Sequence, residues 1–402
     1  MGNLHTASPN VEVGIMTVPG LSFRLSGKYT IAGNTDAYYD LCTAKIENST
    51  IVVSSNLTRR ASGRELIFLP CNLTADHFVL HDVVIGIDFH WEQKENQRFQ
   101  GALKLKLVGD RIAVINILPV EDYLKSVISS EMNASASPEL LKAHAIIARS
   151  WLLAKLEGKD AGIPEKEQLI AADNPEEYIR WWDSGDHENF TVCADDHCQR
   201  YQGISRMSNP HVAEAVNQTS GQVLKYDGVI CDTRYSKACG GKTEVFSSCW
   251  GDREQAYLKS FPDVLPLPVS DPDLSNEVQA GAFIHGSPEC FCNTSDEKVL
   301  SQVLNDYDLK TRDYFRWKVS YTNQEISELI KTKSGHDFGP VRSLIPVKRG
   351  PSGRLILLNI VGTKKSMTIG KELLIRKWLS PSHLYSSAFI VKEGKPDENG
   401  VP

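Results

Sequence analysis

Between residues 11 and 117 the apolar positions recur every second residue or gather in short branched runs. VEVGIMTV, STIVVSS, ELIFLP, HFVLHDVVIGIDF and ALKLKLVGDRIAVINI are separated by Gly, Asn, Asp and Ser, the punctuation of a β-rich region. The last run alternates until VGDR, which predicts a hairpin closed by a two-residue Gly-Asp turn. From Pro119 the period lengthens to about 3.6 residues. Tyr123, Leu124, Val127, Ile128 and the Glu131–Met132 pair share a helical face, behind an acidic start at Glu121 and Asp122 that complements a helix N-terminus. After NASASPE a second helix is expected, with Ser137 as cap, Pro138 at its first position and Glu139 in its first turn. Leu140, Leu141, His144, Ile147, Ala148, Trp151 and Leu152 would form its buried stripe, and Ala143, Ala145 and Ala148 allow close packing.

Farther on the periodicity weakens. Residues 158–190 are polar and read as irregular with short helices; 199–260 read as one helix followed by strands joined at YDG. Residues 261–290, rich in Pro and Ser, read as a surface excursion. The remainder predicts helices at EKVLSQVLNDY and at NQEISELIKTKS (capped by Asn323), a strand at GRLILLNIVG, and a polar tail, KPDENGVP. No internal repeat and no regular strand–helix alternation is present, so the class is α+β. Three stretches are expected: a β-rich N-terminal domain over 1–96, a mixed helix/strand catalytic core over 97–263, and an α/β C-terminal extension over 264–402 that completes the core.

With 402 residues, 41% apolar, 23% charged and a net charge of −6, the chain has an ordinary globular composition. There is no long basic run, so nucleic acid is not an expected partner. No window approaches the roughly 18 apolar residues of a membrane span. MGNLHTASPN lacks the basic and apolar regions of a signal peptide; Gly2 and Thr6 match a loose myristoylation pattern, set against a trimmed or engineered N-terminus. The nine cysteines are odd in number, and several stand in polar, loop-like settings such as ADDHCQ and SPECFCNTS, which suits an oxidising compartment or a metal site. Seven Asn-x-Ser/Thr sequons, as at Asn48, Asn72 and Asn293, are assigned no role.

Three constellations could carry chemistry. Glu131 lies where the first helix gives out, facing the negative end of the macrodipole. Held there beside Met132, a carboxyl would have a raised pKa and could stay protonated as a general acid must; by local spacing alone it reads as a surface acid at a frayed end. In HENFTVCADDHCQRYQG, His187, Cys193 and Cys198 offer an imidazole and two thiolates, a normal zinc shell with its fourth position open; His197 stands beside the last. A Cys193–Cys198 disulfide is the equal alternative. In YSKACGGKTEVFSSCWG, the Cys-Gly-Gly turn among Ser236, Lys237, Thr243 and Glu244 lets backbone approach a ligand, or simply closes a hairpin. There is no G-x-S-x-G elbow, no P-loop, and no G-x-G-x-x-G after a strand.

In order along the chain, VINILPVEDYLKSVISSEM, SPELLKAHAIIARSWLLA, HCQRYQG, AVNQTSGQVLKYDGVICDTRYSKACGGKTE and YLKSFPD resemble the SpoIID/LytB family, the stage II sporulation protein D and amidase-enhancer group of the bacterial cell envelope. Residues 264–390, with RGPSGRLILLNIVG and SPSHLYSSAFIV, and the VEVGIM region look like an extended, Bacteroidetes-like form. The resemblance implies a lytic transglycosylase that cleaves MurNAc–GlcNAc bonds of peptide-free peptidoglycan glycan strands, forming 1,6-anhydroMurNAc, with Glu131 as the single acid/base. It implies zinc at His187, Cys193 and Cys198, as in some members. A peptide-free MurNAc exposes a lactyl carboxylate that calls for fixed positive charge. Arg149, with Arg234 and Lys237 on the later strands, is the candidate; for Arg149 a structural pairing with an acid of the first helix is the alternative. Tyr201, Ser236, Lys237, Gly240, Gly241 and Thr243 complete the expected substrate-binding set. A periplasmic or secreted location in the envelope is expected, with a cell-wall amidase as partner; a non-catalytic, glycan-binding amidase enhancer is the alternative function. Two departures stand out: His144 and Ser150–Trp151 replace the usual Gln and Thr–Tyr, and no Gly/His-rich segment follows SSAF, expected as a strand.

Overall fold

A computed structural model describes residues 8–55, 60–87, 92–160, 170–181, 187–207, 209–251, 254–268, 270–304 and 315–394. Gly2, Thr6, the KPDENGVP tail and much of 158–190 lie outside the described residues. The chain is α+β and divides into two compact units. One takes in Met1–Ile163, Ser184–Thr233 and Ser301–Asp308; the other takes in Pro164–Asp183, Arg234–Leu300 and Leu309–Pro402.

The first unit is built on β1 (Asn10–Val18), β2 (Gly20–Ile31), β3 (Ala37–Glu47), β4 (Thr50–Ser55), β5 (Arg60–Gly63), β6 (Glu65–Pro70), β7 (His77–Ile85), β8 (Gln93–Gln100), β9 (Ala102–Val108) and β10 (Arg111–Pro119). Helices α1 (Val120–Glu131) and α2 (Pro138–Asp160) follow. After β11 (Ile170–Asp173) and β12 (Glu177–Arg180), which belong to the second unit, come β13 (Val192–Cys193), α3 (Pro210–Gln218), β14 (Lys225–Tyr226) and β15 (Val229–Ile230). The main sheet runs β13-β1-β10-β9-β6-β2-β3-β4-β5, with β7 and β8 attached at β2.

This sheet redraws the expected domain boundary at residue 96. β10 pairs with β1 from Asn10↔Pro119 to Val18↔Ile112, and β9 pairs with β6. Cutting at 96 would strip β1 of its pairing with β10 and β6 of its pairing with β9, so the N-terminal strands and the start of the core are one structure. β9 and β10 meet at Val108↔Arg111 across Gly109 (φ +59) and Asp110, the expected two-residue hairpin. β10 is buried at six positions, Ile112–Asn116 and Leu118, because both its faces are covered, whereas β6 alternates. Phe23, Phe68, Phe78 and Phe99 fill the core, with Phe78 and Phe99 stacked at 5.2 Å.

α1 leaves β10 directly at Pro119, with no side-chain cap but with Glu121 and Asp122 in its first turn. Its buried face is Val120, Tyr123, Leu124, Val127 and Ile128. Ser137 caps α2, accepting the Leu140 N–H at 3.3 Å. Leu141, His144, Ala145, Ala148, Trp151 and Leu152 are buried, while Ala143 faces solvent. α3 packs against both helices.

In the second unit α4 (Phe246–Cys249), α5 (Glu277–His285), α7 (Asn323–Ser334) and α8 (Glu372–Trp378) accompany β16 (Val341–Arg349), β17 (Leu355–Gly362) and β18 (Ser366–Gly370); α6 (Glu297–Val303) runs across the boundary of the two units. The sheet order is β11-β12-β18-β17-β16, so residues 170–180 pair far along the chain, contrary to a boundary at 263/264. Two local expectations are corrected. Thr322, not Asn323, caps α7, because Glu325 can complete a reciprocal capping box only with a hydroxyl three residues before it. Residues 386–389 (SSAF) are irregular rather than a strand. Among the described residues no helix is long and apolar enough to cross a membrane.

Candidate functional site

Glu131 is the last residue of α1 and is half-buried; at Met132 the backbone turns extended (φ −127°, ψ 164°). Its Oε1 accepts the backbone N–H of Arg200 at 2.9 Å. The donor belongs to a strap, residues 198–204, laid along α1. In the strap the Gln202 N–H donates to Ser126 Oγ (3.3 Å), the Tyr201 N–H to the Ala194 carbonyl (2.9 Å) and the Ile204 N–H to the Arg98 carbonyl (2.7 Å). Gly203 has φ +58°, and a Cβ there would stand 2.1 Å from the Arg98 oxygen, so only glycine permits this approach. The Arg200 guanidinium is buried, forms a two-pronged pair with Asp196 (2.9 and 3.0 Å) and reaches the Ser130 carbonyl at 3.5 Å. The motif HCQRYQG is therefore a device that fixes the Glu131 rotamer.

Tyr201 belongs to the packing of that strap rather than to a surface. It is 1% exposed, stacks on Tyr123 at 5.2 Å, and donates its hydroxyl to Asn116 Oδ1 at 2.5 Å. Burial, then the nearby Asp122 charge, holds its phenol far above the usual range. Arg149 is likewise interior, with no exposed surface. Its Nε and Nη2 grip both oxygens of Glu121 (2.9 and 2.7 Å), and it donates to the carbonyls of Gln222, Val216 and Ala145. That is the structural pairing with an acid of the first helix; the side chain ties α1 to α2 and to the segment after α3. It offers no surface to a glycan.

Immediately before the strap, His187, Cys193, His197 and Cys198 gather, their ligand atoms all within 4.8 Å of one another. His187 Nε2 lies 3.2 Å from His197 Nδ1, and Cys198 Sγ lies 3.3 and 3.6 Å from these two nitrogens; Cys193 Sγ lies 3.9 Å from His197 Nδ1. Tetrahedral zinc with ordinary bond lengths places its donors about 3.3 Å apart for N···N and about 3.6 Å for N···S. The side chains fit such an ion. His197 is the donor that sequence spacing had left beside the set, and with it protein side chains would occupy all four positions around such an ion. No disulfide joins Cys193 to Cys198 in this structure. Contact with Cys198, then burial, pushes the Cys193 thiol up to about 11 against the pull of the two imidazoles, a balance that a bound cation would reverse. The cluster is anchored by β13, whose Cys193 pairs with Gly14 of β1, and by Phe190, packed where a Cβ on Gly14 would stand.

The other sequence candidates lie in the second unit. Ser236 and Lys237 are exposed. Gly240 and Gly241 adopt φ +79° and +109°, as the Cys-Gly-Gly turn requires. Thr243 accepts the Phe261 N–H at 2.9 Å and donates to the Lys259 carbonyl at 2.8 Å, joining two segments of the loop. Glu244, unassigned in the sequence reading, accepts from the Ser352 hydroxyl at 2.6 Å and so ties GGKTE to RGPSGR.

These features define a domain of known type. Residues 108–226 match the family described as Stage II sporulation protein, the segment that holds Glu131, the strap and the four-donor cluster. Residues 244–400 match a Domain of unknown function (DUF8618). Residues 108–226 thus carry the SpoIID domain, and through it the chain is similar to the SpoIID/LytB family. It is 28% identical over 231 residues to an uncharacterized protein of Brachyspira hyodysenteriae (54% of each chain). To the Stage II sporulation protein D of Bacillus amyloliquefaciens it is 26% identical over 210 residues, 49% of this chain and 56% of that one. To the Amidase enhancer of Bacillus subtilis it is 34% identical over 127 residues, 32% of this chain and 13% of the relative. The chain thus spans about half the length of the first two.

Proposed function

We propose that the protein acts in the bacterial cell envelope as a peptidoglycan lytic transglycosylase, with Glu131 as its one acid/base. The observation that carries this is the Arg200 N–H held 2.9 Å from Glu131 Oε1, inside the segment matched to the sporulation family. A strap that fixes one half-buried carboxyl suits a reaction needing a single one. Glu131 protonates the glycosidic oxygen as the C1–O bond breaks. As carboxylate it then takes the proton of the MurNAc 6-hydroxyl, whose oxygen closes on C1, giving the 1,6-anhydro product and restoring the acid. No second carboxylate is required, unlike ordinary glycoside hydrolysis. Ser236 and Lys237 are proposed glycan contacts of the second unit, Lys237 toward a lactyl carboxylate.

His187, Cys193, His197 and Cys198 would hold zinc, which with four protein ligands supplies rigidity rather than an open coordination position. Two thiolates neutralise the ion, so its charge does not oppose an acid nearby. Cys198 and Arg200 are two residues apart, so the cluster sets the start of the strap that reaches Glu131.

The test is Glu131→Gln. Glutamine keeps an acceptor for the Arg200 N–H, so folding should be unchanged, while loss of a general acid should lower 1,6-anhydromuramyl release from peptide-free glycan by at least ~100-fold. Equal product by mass spectrometry would refute the assignment. The stretch 34% identical to an amidase enhancer favours a second reading, a glycan-binding enhancer of a cell-wall amidase. Under it, both forms would bind glycan equally and neither would release product.

A further inference from the structure

The second unit contains a cluster of thiols that the family resemblance does not use. Cys239 Sγ, Cys292 Sγ and a carboxylate oxygen of Asp263 lie within 4.8 Å of one another. Cys239 and Cys292 are 3.8 Å apart, and Cys290 Sγ is 3.7 Å from Cys292 Sγ. Around a tetrahedral ion with Zn–S bonds near 2.3 Å, sulfur atoms stand about 3.8 Å apart. No disulfide joins Cys239, Cys290 or Cys292.

The backbone around these side chains is arranged to hold them. The Gly241 N–H points at Cys239 Sγ (3.4 Å), an orientation that the positive φ values of Gly240 and Gly241 permit. The Asp263 N–H donates to the Gly241 carbonyl (3.0 Å), the Phe291 N–H to the Asp263 carbonyl (2.9 Å), and the Cys292 N–H to Asp263 Oδ2 (3.3 Å). Arg316 donates to the Gly240 carbonyl at 3.1 Å, bringing positive charge beside an anionic donor set. Three segments far apart in sequence, 239–241, 263 and 290–292, thus converge on one point.

The packing gives a reason for it. The apolar core of this unit draws its buried residues from Ile326 onward. Between α4 and α5 the described residues form no helix or strand, and Leu274 and Ala280 are among the few buried apolar side chains from there to Gly286. A loop-rich region with so little core is commonly held by a metal.

We propose that the second unit holds a structural zinc ion on Cys239, Cys292 and Asp263. The site is separate from the His187 cluster, and its existence does not depend on the transglycosylase reading. The ion would staple the Cys-Gly-Gly turn to residues 263 and 290–292.

The experiment is metal analysis of the 402-residue protein purified without chelator. Cys239→Ser/Cys292→Ser and Asp263→Asn should each carry one zinc equivalent fewer than the wild type. Cys193→Ser/Cys198→Ser should retain that equivalent. In the unsubstituted protein, zinc should protect Cys239 and Cys292 from iodoacetamide, and chelator should expose them, a readout that survives if a variant misfolds. Zinc content unchanged by the Cys239/Cys292 substitutions would overturn the proposal. So would alkylation of these thiols at equal rates with and without chelator, or a Cys239–Cys292 or Cys290–Cys292 disulfide found by peptide mapping of the native protein.

Discussion

Arg149→Met separates two roles that the sequence allowed for this residue. In the structure Arg149 is fully buried, and its partner Glu121 keeps 19% of its side chain exposed. Removing one member of such a pair leaves the other charge uncompensated, at a cost of about 3–5 kcal/mol. Two features soften that here. Glu121 lies in the first turn of α1, where the helix terminus stabilises an acid by about 0.3–1 kcal/mol, and the Gly221 N–H stands 3.4 Å from its Oε1. A net loss of about 3 kcal/mol follows. At about 2–4 °C per kcal/mol for a unit of this size, the first unit should melt about 6–12 °C lower. Differential scanning calorimetry or thermal circular dichroism reads this directly. Glu121→Leu combined with Arg149→Met should recover part of the loss, because no buried charge then lacks its partner. If Arg149→Met left the melting temperature unchanged while reducing glycan binding, the clamp would be the wrong account and the residue would face substrate.

Burial lowers the His144 pKa to about 4, so the folded protein keeps this imidazole neutral while the unfolded chain protonates it near 6.5. The unfolded state therefore binds the extra proton, and stability should fall as pH drops from about 6.5 toward 4, by about 3 kcal/mol at most from this group. His144→Gln should flatten that limb of a urea-midpoint-against-pH plot; superimposable profiles would show that another group is responsible. Gly203→Ala should cost at least ~2 kcal/mol in urea unfolding, from a left-handed backbone and the clash with the Arg98 carbonyl, and should reduce activity by shifting Arg200. An unchanged midpoint would contradict the strap. His197→Ala and His187→Ala should each lose one zinc equivalent if the cluster has four protein ligands. A Cys193–Cys198 disulfide in native protein free of metal would remove that site.

Much of the first unit was legible because its signals are local. Alternation marked ELIFLP and the β9–β10 hairpin, the change of period at Pro119 marked α1, and Ser137-Pro138 marked the start of α2. Glu131 was visible as an acid at a helix end. Its importance came from the order of surrounding motifs, since a helix end by itself does not distinguish a held carboxyl from a frayed one. Thr322 was missed as a cap because Asn323 is an equally good capping residue, and only the reciprocal contact with Glu325 chooses between them.

What the sequence by itself determined were the periodicities, the turn chemistry, and the His and Cys residues close enough along the chain to suggest a common ligand. The tertiary structure alone decided which side chains are interior and which distant segments meet. Tyr201 and Arg149 look like binding residues in a string of letters, yet packing places both inside the protein, where their polar atoms must be satisfied by neighbours. Cys239 and Cys292 converge across a loop that carries no repeating pattern. Periodicity reports how a segment meets its own next turn or pleat, whereas burial and convergence depend on where the rest of the chain closes over it.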